Sequence, residues 1–253
     1  MRKRILEQPI DIITFEEALY LVKAALVNPK QFKIITLNSE MIVKASKDFQ
    51  FQAAINNANL IIPDSIGIVW AMKFLSSNSY GDLKRIPGID LAEKILAVAN
   101  ELSKKVAIFG GTQEVLETVV NIIKNKYPNI DLQKTFNGFQ GEEKDIEIAQ
   151  EISKAEPDLI LVALGSPNQE IWINKYSNLF SKAVMIGIGG SLDVWAGKKS
   201  RAPEWLRNAH LEWFYRLLID PKRFSRVIGS LPQFVWMVLQ EKFKSSHQTK
   251  QGF

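Results

Sequence analysis

A chain of 253 residues with 46% apolar and 23% charged residues is long enough for one sizeable α/β core, and too ordinary in composition for wholesale disorder or a fibrous repeat. It has no cysteine and two histidines, His210 and His247, which excludes disulfides, thiolate metal sites and a Cys nucleophile and leaves little for zinc or a His-based triad. The net charge of +5 suits a phosphate-bearing ligand or an anionic membrane as well as nucleic acid. The chain opens on the basic run Met1-Arg2-Lys3-Arg4, but Glu7, Pro9 and Asp11 intervene before a signal-peptide apolar region develops, so no export signal is expected. Short β-rich apolar runs at 32–37, 60–62, 106–109, 130–132, 159–163 and 184–188 predict strands. Apolar residues at three- and four-residue spacing predict core-facing helices over 90–102, 114–126 and 142–155. Such alternation expects an α/β fold with a mostly parallel sheet and helices on both faces, because parallel strands need crossovers and the crossovers cover the sheet.

The strand ends carry the chemistry. Asn38 follows the first strand, Pro63-Asp64 the second, Gly110-Gly111 the third, Asn137-Gly138 the fourth, Gly165-Ser166-Pro167-Asn168-Gln169 the fifth and Gly189-Gly190 the sixth. In a parallel sheet these carboxyl ends share one edge, where ligands bind. Asp64 then has two readings, a general base in a half-buried cleft or the N-cap of a helix starting near Ile66. Asp193 bonds a ribose hydroxyl or structures the Gly189-Gly190 turn, and Gln169 orients a ligand or caps a helix. Thr36 and Asn38 alternate with Leu37, so both face one way at the end of their strand.

Near Lys198 the pattern changes to a segment dense in Trp, Phe, Leu and Arg. A boundary there divides the chain into an α/β ligand-binding domain, 1–197, and a helical basic and aromatic C-terminal appendage, 198–253. Pro221 and Pro232 read as helix starts. Arg216, Arg223 and Arg226 either clamp a diphosphate, whose oxygens match guanidinium donors, or line a solvated helix face. The aromatic residues between them suit a bilayer interface, the main domain or a second subunit of a homo-oligomer. The longest apolar stretch, 234–239, is too short to span a bilayer and is cut off from 228–231 by Pro232 and Gln233.

Familiar motifs are absent or broken. Gly187-Ile188-Gly189-Gly190-Ser191-Leu192 has leucine in place of the third glycine of a dinucleotide loop, which counts against a nicotinamide-dependent oxidoreductase. Nothing matches a phosphate-binding G-x-x-x-x-G-K-[ST] loop or a G-x-S-x-G nucleophile elbow. No Asp-x-Asp pair stands at a strand end, which favours a metal-independent site.

Taken together, Thr36-Leu37-Asn38-Ser39-Glu40, Pro63-Asp64-Ser65-Ile66-Gly67, Arg85-Ile86-Pro87-Gly88-Ile89-Asp90, Gly165-Ser166-Pro167-Asn168-Gln169-Glu170, Gly189-Gly190-Ser191-Leu192-Asp193, Arg201-Ala202-Pro203-Glu204-Trp205 and Leu211-Glu212-Trp213-Phe214-Tyr215-Arg216 resemble the WecG/TagA/CpsF glycosyltransferases, family 26. The resemblance implies a Rossmann-like fold and an inverting transferase. Its sugar, of the N-acetylmannosamine type, moves from a UDP-sugar to an undecaprenyl-diphosphate-linked acceptor in bacterial surface-polymer synthesis. It further implies Asp64 as the base and Arg216, Arg223 and Arg226 as basic residues of a membrane-proximal appendage. Ser65 departs from the family's usual glycine after the Asp. The expected catalytic set is Asp64, Thr36, Arg216, Arg223 and Arg226. The expected substrate-binding set is Asn38, Arg85, Gly110, Gly111, Phe136, Gly165, Gln169, Gly189, Gly190 and Asp193. No cofactor, metal or nucleic acid is expected, and the chain is placed in the cytoplasm at the inner face of the cell membrane. A non-catalytic nucleotide-sugar or phospholipid-binding module is the alternative.

Overall fold

The computed structural model describes residues 1–77, 79–208, 211–219 and 221–250, the side chains of 207–208, 216–219, 221–228 and 245–250 excepted. A hairpin of β1 (Arg2–Ile5) and β2 (Gln8–Asp11) precedes α1 (Phe15–Val27), β3 (Phe32–Leu37), α2 (Ser39–Ala45), α3 (Phe49–Asn56), β4 (Leu60–Pro63) and α4 (Ile66–Leu75). Then come α5 (Gly88–Glu101), β5 (Lys105–Gly110), α6 (Gln113–Lys126), β6 (Asp131–Phe136), α7 (Asp145–Ser153), β7 (Leu159–Ala163), α8 (Asn168–Tyr176), β8 (Val184–Gly187) and α9 (Ser191–Trp195). The segment after Lys198 forms α10 (Glu204–Asn208), α11 (Glu212–Ile219) and α12 (Pro221–Lys250).

The six predicted strands form one sheet in the order β4-β3-β8-β7-β5-β6, and every neighbouring pair is parallel. Strand residues alternate between two buried faces. Ile34, Ile62, Ile108, Leu161 and Ile186 point to the face covered by α1, α5, α6 and α9. On the other face, Ile35, Leu37 and Ile61 meet the hairpin, α2, α3, α4 and part of α12, while Phe109, Ile160, Val162 and Met185 meet α7 and α8. Burial on both faces explains why β3, β4, β5, β7 and β8 read as apolar runs, whereas the edge strand β6 alternates exposed and half-buried residues.

Local chemistry starts five of the helices. Thr14, Asn38, Asp48, Ser65 and Thr112 each accept a backbone N–H in the first turn of the helix that follows. The helix predicted over 142–155 begins as a 3-10 turn at Glu142–Lys144 and continues as α7. One expectation is corrected: Pro221 does open α12, but Pro232 lies inside it. An interior proline removes a helical N–H and crowds the preceding turn. Here the helix continues through it because Phe234 and Val238, just beyond, are fully buried against α2, α4 and the sheet.

Candidate active site

Strand β5 leaves the sheet toward β6 and β7 leaves toward β8, so the chain parts in opposite directions above two adjacent strands. A crevice opens at such a point in an open parallel sheet. Gly110 and Gly111 line it from β5, Gly165 from β7 and Phe136 from the end of β6, where it pairs in register with Phe109. Gly110 has φ +134°, and any Cβ there would run into the Ala163 carbonyl, so only glycine lets the β5 turn lie this close to β7. The Gly111 N–H then bonds Ala163 O at 3.2 Å, and the Gly138 N–H bonds Gly111 O at 2.9 Å.

Two strands away, the ends of β3 and β4 gather Thr36, Asn38, Asp64 and Arg85. Asp64 N bonds Leu37 O and Ile86 N bonds Pro63 O, which stitches the segment before α5 onto the strand end. The helix-cap reading of Asp64 is overturned, because α4 is capped by Ser65. Asp64 Oδ1 instead accepts the Gly88 N–H at 2.8 Å, the first amide of α5, a helix whose own N-cap, Pro87, offers no side-chain acceptor. The half-buried carboxylate thus sits at the positive end of a helix dipole. Thr36 lies against Gly88, so that a Cβ there would come within 2.9 Å of Thr36 Cγ2. Asn38 is the N-cap of α2, its Oδ1 accepting from Met41 N at 3.0 Å.

Between these groups stands the end of β8. Gln169 is only 4% exposed; its Oε1 accepts the Gly189 N–H at 2.9 Å and its Nε2 donates to Glu170 Oε1 at 2.7 Å. It caps no helix, since α8 begins after Pro167. Its amide joins the first turn of α8 to the Gly189-Gly190 turn, through which it shapes the crevice. Asp193 in α9 pairs with Lys199 at 2.9 Å while its backbone carbonyl accepts from Lys198 and Lys199, so it braces the segment leaving the sheet.

The sequence reading missed Glu170. Its carboxyl is buried, and desolvation pushes it up to about 7, against the opposing effects of the Gln169 hydrogen bond and the nearby Lys44 ammonium. Glu170 Oε2 has no hydrogen-bond partner among the described residues. Its signal in the sequence was its place beside Gln169 in a motif that follows the fifth strand and carries the family resemblance. Missed too was Glu212, 2% exposed at the start of α11, with Oε2 2.9 Å from Arg85 Nη2.

The segment after Lys198 closes on the same edge. Arg201 pairs with Asp90 in the first turn of α5 at 2.6 Å, Ala202 is buried, and the Phe234 ring lies 3.6 Å from where a Gly67 Cβ would stand. Lys242 Nζ donates to the Phe74 and Leu75 carbonyls at the far end of α4. The side chains of Arg216, Arg223 and Arg226 lie outside the described residues. Among the described residues no group of three or more His, Cys, Asp or Glu side chains could hold a metal ion, and no helix is long and apolar enough to cross a membrane.

A parallel sheet wound on both faces, with glycine turns at a switch point and a carboxylate on the same edge, defines a Rossmann-like α/β protein whose strand ends form the candidate site. The profile of the glycosyl transferase WecG/TagA/CpsF family matches residues 3–248, and the chain belongs to that family. It is 39% identical over 209 residues to a Bacillus subtilis (strain 168) protein named N-acetylglucosaminyldiphosphoundecaprenol N-acetyl-beta-D-mannosaminyltransferase, covering 83% of this chain and 79% of the relative. Proteins of the same name from Bacillus spizizenii (strain ATCC 23059 / NRRL B-14472 / W23) and Staphylococcus aureus (strain NCTC 8325 / PS 47) are 36% and 37% identical, over 86% and 83% of this chain and 83% and 81% of theirs. The chain is accordingly an enzyme of the glycosyltransferase class.

Proposed function

We propose that the chain transfers an N-acetylmannosamine-type sugar from a UDP-sugar to a GlcNAc unit carried on undecaprenyl diphosphate, with inversion, in bacterial surface-polymer synthesis. Asp64 takes the proton of the acceptor hydroxyl as its oxygen forms a bond to the sugar C1. The C1–O bond to UDP breaks from the opposite face, its electron pair leaving on the diphosphate. Arg216, Arg223 and Arg226 supply the charge that meets this diphosphate, so the reading uses no metal or cofactor. The observation that carries it is the Asp64 carboxylate, half-buried and anchored on Gly88 at the strand-end crevice of a chain in this family.

The reading places the enzyme on the inner face of the cell membrane, with residues 198–253 as its membrane-facing part. Supporting this, Trp70 and Phe74 stack at 5.5 Å on the outer side of α4, 41% and 37% exposed, beside Lys73 and Lys242. Trp205, Trp213, Trp236 and Phe243 are exposed along the C-terminal helices. Aromatic rings with lysines suit an anionic interface.

The test is Asp64→Asn in a UDP-release assay with UDP-N-acetylmannosamine and a lipid-diphosphate-linked GlcNAc acceptor, with and without EDTA. Asparagine keeps the acceptor for the Gly88 N–H, so the fold and UDP affinity should stay within several-fold while turnover falls by roughly 10²–10⁴. EDTA should leave the parent enzyme's rate unchanged. Near-parent turnover in the variant would falsify the base assignment, and no turnover in the parent would return the chain to the binding-module alternative.

A further inference from the structure

Arg85 and Glu212 are 127 residues apart in the chain and form an ion pair at 2.9 Å, with side chains 17% and 3% exposed. A carboxylate buried that deeply needs a cation, and its partner belongs to the segment that bears on Asp64. Ile86, the next residue, bonds Pro63 O at 2.8 Å, and Gly88 donates to Asp64 at 2.8 Å. Leu83 and Ile86 are buried on either side, so the backbone that presents Arg85 is fixed to the end of β4. Its long side chain would still rotate freely without a second anchor. Glu212 is that anchor, and it stands at the first turn of α11, the helix that continues to Arg216.

A guanidinium carries five N–H donors in a planar fork, and the Glu212 contact engages one terminal nitrogen. Fixing that nitrogen sets the plane of the fork and the direction of the others. We propose that Glu212 is a positioning residue: it orients Arg85 at the Asp64 strand end so that the remaining guanidinium N–H groups take a phosphate oxygen of a diphosphate-bearing substrate. Helix α11 thereby completes the site. This rests on the transferase reading for the identity of the anion.

The test compares Glu212→Gln, Glu212→Asp and the charge swap Arg85→Glu with Glu212→Arg, in the full chain. Calorimetry with UDP and with inorganic diphosphate is set beside KM and kcat for transfer and a thermal melt. Glutamine should weaken diphosphate binding and raise KM by about tenfold, the scale of one charge-assisted hydrogen bond, with kcat changed less. Aspartate should recover part of this. The swap should restore the melting temperature without the affinity, because the guanidinium then sits on the wrong element. Unchanged diphosphate affinity in Glu212→Gln, no diphosphate binding by the parent, or a swap that restores affinity together with stability would each overturn the proposal. If Glu212→Gln does not fold, the aspartate and swap variants decide by the same readings. A parent that binds diphosphate but transfers no sugar sinks the transferase reading alone, since the positioning role is judged on affinity.

Discussion

Glu170→Gln should make the protein's stability less dependent on pH. In the folded chain burial raises the Glu170 carboxyl from 4.5 to about 7, so the folded state holds this proton more tightly than the unfolded state does. Below about pH 4.5 both states are protonated and the residue costs nothing by ionisation. As pH rises toward 7 the unfolded chain ionises first, and the folded protein loses stability until both states are ionised above the folded value. At 1.36 kcal/mol per unit, the full loss is about 3 kcal/mol. Glutamine has nearly the same shape, keeps an oxygen to accept from Gln169 Nε2, and does not ionise. Urea denaturation of parent and variant at pH 5, 6, 7 and 8 isolates the effect, because other titrating groups cancel in the difference. The variant should be close to the parent at pH 5 and more stable by about 2–3 kcal/mol at pH 8. A difference that does not change with pH, or one that favours the parent at pH 8, would refute the reasoning that burial outweighs the hydrogen bonds and the Lys44 charge at Glu170.

Gly110→Ala should destabilise the fold by about 1–3 kcal/mol through its φ of +134°, and should weaken UDP binding by pushing the β5 turn off the Ala163 carbonyl. Calorimetric UDP affinity equal to the parent's would remove this turn from the site. Phe234→Ala should cost about 3–5 kcal/mol in equilibrium unfolding, because the ring is fully buried between α2, α4 and α12; a loss below about 1 kcal/mol would mean that α12 does not pack there. Sedimentation with anionic liposomes should fall as salt rises, exposed charges being screened over about 8 Å at physiological ionic strength, and should fall further in Trp70→Ala/Phe74→Ala. Equal partitioning of parent and double variant would clear α4 of a membrane role.

Five of the six sheet strands were legible in the sequence because a parallel strand buried on both faces is a run of apolar residues bounded by turn chemistry, and both signals are local; the edge strand β6 was expected only over 130–132 and runs Asp131–Phe136, because half of its residues face solvent and break the apolar run. The strand-end residues Asp64, Gly110, Gly165 and Gly189 could be assigned to one edge for the same reason, since parallel connectivity alone forces their ends together. The β1–β2 hairpin was invisible: its turn residues, Leu6 and Glu7, have φ of +47° and +67°, where Asn-Gly or Asp-Gly would have announced it. What holds it is tertiary, with Arg2 bonding Asp11 and the carbonyls of Ala58 and Asn59. Only the fold could decide that Asp64 holds α5 instead of capping α4, because Ser65 was an equally good cap and the competing amide, Gly88, lies 24 residues away. Gln169 became a strut and Glu170 a buried acid for a related reason: α8 rotates both into the protein, and a nine-residue helix does not reveal from its own composition which face it will bury. The Arg85–Glu212 pair has no local signature at all, since opposite charges far apart in sequence become partners only when strand order and helix docking bring them within reach.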